Sequence, residues 1–136
     1  MGPTVRHVIG YAATAVVLVA LDSVWLRLVA TDWYQDGIGH LMAPKVNLVA
    51  GALFYLIFPL GLMIFAVVPG LSSPSLWRAT CLGGLFGLFA YATYDLTCLA
   101  ILKNWPVGLS LIDVAWGSLL SAVAAGGGRW SESLLA

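Results

Sequence analysis

Val46–Val68, VNLVAGALFYLIFPLGLMIFAVV, runs without a single charged side chain. A helix covers the hydrocarbon core of a bilayer with about 20 residues. Lipid offers the backbone no hydrogen-bond partner, so such a run must satisfy its own amides as a helix. Working outward from it, three further runs qualify as spans: Val8–Val29, Ala79–Leu102 and Leu109–Gly126. The expected fold is all-α, a four-helix transmembrane bundle forming one integral membrane domain over residues 1–136. Four spans return the chain to its starting face, so both termini are expected on the same side.

Composition supports this. The chain is 61% hydrophobic and 9% charged, with a mean hydropathy of +0.97. Soluble domains carry about 25% charged residues. Six basic and six acidic side chains cancel, so no global field recruits nucleic acid. Cys81 and Cys98 sit inside apolar runs, without metal-ligand spacing. No phosphate loop, zinc-protease helix or serine-nucleophile motif occurs. No metal, cofactor or catalytic residue is therefore expected. The first apolar run is too long for a signal peptide and lacks an A-x-A cleavage site, so it reads as a retained span.

The connections carry turn chemistry. Pro44 and Lys45 are expected to open the second span. Pro69-Gly70 and Ser72-Ser73-Pro74 close it, and Asn104-Trp105-Pro106 separates spans three and four. Ala30–Ala43 is long enough for a short interfacial helix capped by Thr31 or Asp32. Gly126-Gly127-Gly128 is expected to end the fourth helix and free the tail. Arg6, Arg78 and Arg129 fall on the terminal face, and Arg27, Lys45 and Lys103 on the opposite one. The positive-inside count is tied. The amino terminus, and Asp32 and Asp36 across from it, tilt the terminal face toward the cytoplasm. His7 and His40 lie at opposite faces, so they do not share a haem.

Three aspartates interrupt the spans: Asp22, Asp95 and Asp113. A carboxylate near hydrocarbon costs several kcal/mol, which makes each a functional-site candidate. Asp22 lies near the far end of the first helix. Asp95 is eight residues before Lys103, about 12 Å at 1.5 Å per residue. Asp113 is about one turn inside the fourth helix. All three thus fall in the half of the membrane away from the termini. The first and last are close enough to helix ends for water to reach them; Asp95 is the deepest. Asp95 is expected to be held by Tyr or Trp donors from another helix. Were the acids to converge, at least one would carry a proton or pair with Lys103, Arg27 or a bound cation. Lys103 and Arg27 in such positions are more often interfacial anchors than ion-pair partners.

Helical spacing puts Tyr11, Ala15, Leu18, Asp22 and Trp25 on one stripe, and Gly84, Gly87, Tyr91, Tyr94, Asp95 and Cys98 on another. A D-x-x-W spacing occurs at Asp22/Trp25 and again at Asp113/Trp116. An indole N–H one turn away can donate to a carboxylate or anchor at the interface. Gly83 and Gly87 form a small-xxx-small pair that permits close backbone approach. The candidate polar cluster is therefore Asp22, Asp95, Asp113, Tyr91, Tyr94, Trp25, Trp116 and Lys103.

The segments LDSVWL (21–26), AYATYDLT (90–97) and IDVAWG (112–117) resemble a family of small bacterial inner-membrane proteins of unknown function, each labelled only a predicted membrane protein. The resemblance runs from about Leu21 to Trp116. It implies four spans and a bacterial inner-membrane location, and it supplies no activity. The family pattern continues TYDLT with Asn and Thr where this chain has Cys98 and Ile101.

The expected role is an accessory, structural or assembly protein of that membrane, as a homo-oligomer or within a larger complex. The alternative is a protein that binds or passes protons, cations or a small ligand through the aspartate cluster. An intramembrane enzyme comes third, because no nucleophile–base pair or metal-ligand set supports it.

Overall fold

The computed structural model describes residues 2–135. Five helices account for most of it: α1 (Pro3–Val29), α2 (Thr31–Ile38), α3 (Leu48–Gly70), α4 (Trp77–Ile101) and α5 (Val107–Ser133). All but α2 are long and apolar enough to cross a membrane. Among the described residues there is no strand. The expected all-α bundle of four spanning helices is therefore present. At 27 residues each, α1 and α5 are about 40 Å long, more than the roughly 30 Å of hydrocarbon, so they tilt or project.

Two helix ends differ from expectation. Pro44 and Lys45 do not open the second span; Asn47 does, its side chain accepting from the Ala50 N–H at 3.1 Å. A carbonyl acceptor suits that position, whereas proline offers none through its side chain. Nor do Gly126, Gly127 and Gly128 end α5, which continues to Ser133. These glycines lie in the interior because α5 is crossed closely there. A Cβ on Gly126 would stand 2.9 Å from Thr80 Oγ1, and one on Gly128 would overlap Thr14. Packing outweighs the roughly 1 kcal/mol each glycine costs a helix interior.

The bundle core is small. Leu18, Leu62, Val67, Leu120, Ala124 and Ala125 are buried where α1, α3 and α5 meet. The buried stripe of α1 is Gly10, Thr14, Leu18 and Asp22, one position off the expected row at its start. On α4 the buried residues are Ala79, Gly83, Gly87 and Asp95. Gly83 faces Ser121 and Ala125, and Gly87 faces Gly117 and Ser121, so the small-residue pair packs α4 against α5 inside the bundle. Elsewhere large apolar side chains such as Leu28, Phe65 and Leu111 point outward, as a lipid surface requires.

Both α1 and α3 widen into a π-turn, at Trp25–Val29 and Met63–Val67. Such turns insert a residue into the helical ladder and occur often at functional sites. The first directly follows Asp22. It ends at Val29, and α2 begins at Thr31. Thr31–Ile38 is helical as expected, but neither Thr31 nor Asp32 caps it. The Thr31 hydroxyl instead donates to the Leu26 carbonyl at 2.6 Å, inside the π-turn.

Candidate functional site

Asp22, Asp95 and Asp113 line one cavity of about 510 Å³. That volume lies within the roughly 300–1,000 Å³ range of small-molecule sites. Each of α1 to α5 contributes to its wall. Leu26, Ile38, Phe54, Phe58 and Leu109 make much of it apolar, while Tyr34, Tyr91, Tyr94 and Trp105 add aromatic rings. No Lys or Arg lines it.

Asp22 is buried and tightly held. Its Oδ2 accepts from the Tyr55 hydroxyl of α3, and its Oδ1 from Trp116 Nε1 of α5 at 3.1 Å. One carboxylate thus ties three helices together. Asp113 accepts from the Tyr34 hydroxyl, and Trp25 Nε1 donates to that same hydroxyl at 3.3 Å. The two D-x-x-W pairs are therefore crossed. Trp116, one turn from Asp113, serves Asp22; Trp25, one turn from Asp22, reaches Asp113 through Tyr34. The indoles of Trp25 and Trp116 stack at 4.4 Å with planes 7° apart, closing the clamp between α1 and α5. Sequence spacing puts each indole one turn from its own aspartate; in the fold each reaches the other's cluster across the α1–α5 contact.

Asp95 departs from expectation. Tyr and Trp donors go to the other two aspartates, and none holds it. It is 2% exposed, and its Oδ2 is buried without a partner. Its carboxyl group shares the cavity with that of Asp113. Glycines at 87 and 117 let α4 and α5 approach until the Tyr91 ring lies on Gly117. Tyr91 and Tyr94 both reach the cavity, Tyr94 against Trp105 at 6.0 Å. Lys103 does not: it is exposed in the turn beyond α4 and lines no part of the cavity. A long ammonium chain at a helix end is more favourably placed toward water.

Sequence reading also missed Tyr34. It appeared only as one aromatic in an interfacial loop, yet it is the residue by which α2 joins the site. Burial first, and then its hydrogen bond to Asp113, pushes the Tyr34 phenol well above the usual tyrosine value. A raised folded value means stability that is intact below the unfolded pKa of about 10 and declines as pH rises above it. Tyr34→Phe is expected to lose less thermal stability than the wild type between pH 9 and pH 11, both measured in detergent. Equal losses would show that Tyr34 titrates as a solvated phenol.

Among the described residues no group of three or more His, Cys, Asp or Glu is placed to hold a metal ion. The three carboxyl groups share a cavity without converging on one point. No curated protein and no solved structure matches the chain. A family model does, over residues 7–130, which take in all three aspartates, both tryptophans of the clamp and Tyr34. The chain belongs to the family described as Predicted membrane protein (DUF2177).

Proposed function

We propose that this protein binds a small, partly apolar organic cation, an amine, within the membrane. The carrying observation is three carboxylic side chains around one largely apolar cavity that no basic side chain lines. Buried carboxylates need countercharge or protons. An ammonium group supplies both positive charge and donors, and Asp95 Oδ2 is a buried acceptor without a partner. Phe54, Phe58 and Tyr91 suit the apolar part of such a ligand, and their ring faces attract a cation. The scattered carboxylates fit an extended organic ion better than a metal ion, which gathers its ligands at 2.0–2.6 Å around one centre. The wider classes of proton, cation or small-ligand binding or permeation contain this reading. An accessory or assembly role stands behind it, since no described surface is distinguished as a partner contact.

The test compares two ligands of one shape in nanodiscs, 4-phenylbutylamine and 4-phenylbutanol. The amine is expected to bind at least about tenfold more tightly, or 1.4 kcal/mol. Equal affinities would leave the carboxylates without a role in recognition and overturn the proposal.

A further inference from the structure

At the other end of the bundle a second polar assembly joins the first and last helices. Glu132 is fully buried. Its Oε1 lies 2.8 Å from His7 Nδ1, and its Oε2 has no partner. Gly10 makes the room: a Cβ there would stand 2.5 Å from Glu132 Oε2. Arg129, one turn earlier on α5, does not neutralise Glu132. It donates instead to the Gly70 carbonyl at 3.2 Å and the Ser73 carbonyl at 2.8 Å, tying down the turn after α3.

With Nδ1 committed to a buried carboxylate, Nε2 is the ring nitrogen left for an occupant. A carboxylate partner fixes the ring orientation in this way. His7 lines a groove of about 540 Å³ between α1 and α3. Thr4 stands beside it, and beyond them the walls are apolar, with Val8, Leu60, Ile64 and Val68. The π-turn at Met63–Val67 shapes the α3 wall. An apolar groove on the lipid-facing surface of a spanning bundle is filled by hydrocarbon, not water.

Charge selects the head group. Of six acidic side chains, the five aspartates at positions 22, 32, 36, 95 and 113 belong to the aspartate half of the molecule. Glu132 is the sixth, and His7 already engages it. Arg6, Arg78 and Arg129 accompany it. This end is cationic, and the Nε2 edge of the His7 ring stands at the mouth of the groove.

We propose that the groove between α1 and α3 is a binding site for an anionic phospholipid. Its phosphate accepts from His7 Nε2 and the Thr4 hydroxyl, and one acyl chain lies along Val8, Leu60, Ile64 and Val68. The site is separate from the aspartate cavity and independent of what that cavity binds.

The test is native mass spectrometry of delipidated protein in detergent at pH 6, titrated with dioleoyl phosphatidylglycerol or dioleoyl phosphatidylcholine. The wild type is expected to retain one phosphatidylglycerol at least fivefold more tightly than phosphatidylcholine. His7→Ala should abolish that preference. Ile64→Trp, which fills the groove from an exposed position, should weaken both lipids. Glycerol 1-phosphate should not compete, because the acyl chain supplies part of the binding. Equal retention of the two lipids by the wild type, or an undiminished preference in His7→Ala, would overturn the proposal. Competition by glycerol 1-phosphate at equal concentration would also overturn it, since the site would then recognise free phosphate and not lipid.

Discussion

Gly87→Leu is expected to prevent assembly of the native bundle. A Cβ at position 87 would meet the Gly117 carbonyl and the Ser121 side chain across the α4–α5 contact. A carbonyl belongs to the backbone of a packed helix and cannot rotate aside. Overpacking usually costs about 1–3 kcal/mol when neighbours can shift. Here α4 itself must move, so the cost is expected at about 3 kcal/mol or more. Moving α4 also separates Asp95 from Asp113 and lifts Tyr91 from Gly117. Size-exclusion chromatography and circular dichroism in mild detergent should show aggregated or partly unfolded protein. Gly51→Leu is the control, because a Cβ there meets nothing within 4 Å. Wild-type behaviour of Gly87→Leu would mean that α4 and α5 are farther apart than described.

The second large effect separates Asp22 from Asp95, of which the sequence points to Asp95 as the one held by Tyr or Trp donors. Asp22→Leu removes the acceptor of both Tyr55 and Trp116. Interhelical hydrogen bonds in membranes average about 0.6 kcal/mol and reach about 1.7, so the loss of two should destabilise the bundle by about 2 kcal/mol. Asp22→Asn keeps an acceptor oxygen and should be milder. Asp95→Leu removes a carboxyl group that no described Tyr or Trp donor holds, so it should cost less stability than Asp22→Leu. Amine affinity should nevertheless fall at least about tenfold. Unfolding in mixed detergent, read beside amine titration, checks both. Equal destabilisation by Asp22→Leu and Asp95→Leu would show that Asp95 is a structural hydrogen-bonding residue after all.

The four spans were legible because a bilayer imposes one rule on every residue: backbone polar groups pair within the helix, and side chains tolerate hydrocarbon. The grouping of the aspartates in one half was legible from rise per residue alone. Which donors reach which carboxylate was not, since that depends on how α1, α3 and α5 rotate about their axes. The crossed tryptophans illustrate this: each lies one turn from one aspartate and serves the other. Tyr34 was hidden because α2 is short and amphipathic, and loop aromatics ordinarily anchor at the interface. Glu132 was hidden for a different reason. Three consecutive glycines signal the end of a helix when read locally, yet here they let α5 pass close to Thr14 and Thr80. The helix therefore runs on far enough to bury Glu132 against Gly10. Propensity lost to packing at that point, and a second polar site went with it.

We propose that Asp22, Asp95 and Asp113 form one cation-binding cavity. This proposal is tested most directly by an experimental structure at saturating 4-(4-bromophenyl)butylamine, with the bromine located by its anomalous scattering. The amine nitrogen is expected within hydrogen-bonding distance of Asp95 and the bromine against Phe54 and Phe58. A bromine site outside this cavity, or an amine out of reach of all three carboxylates, would contradict it.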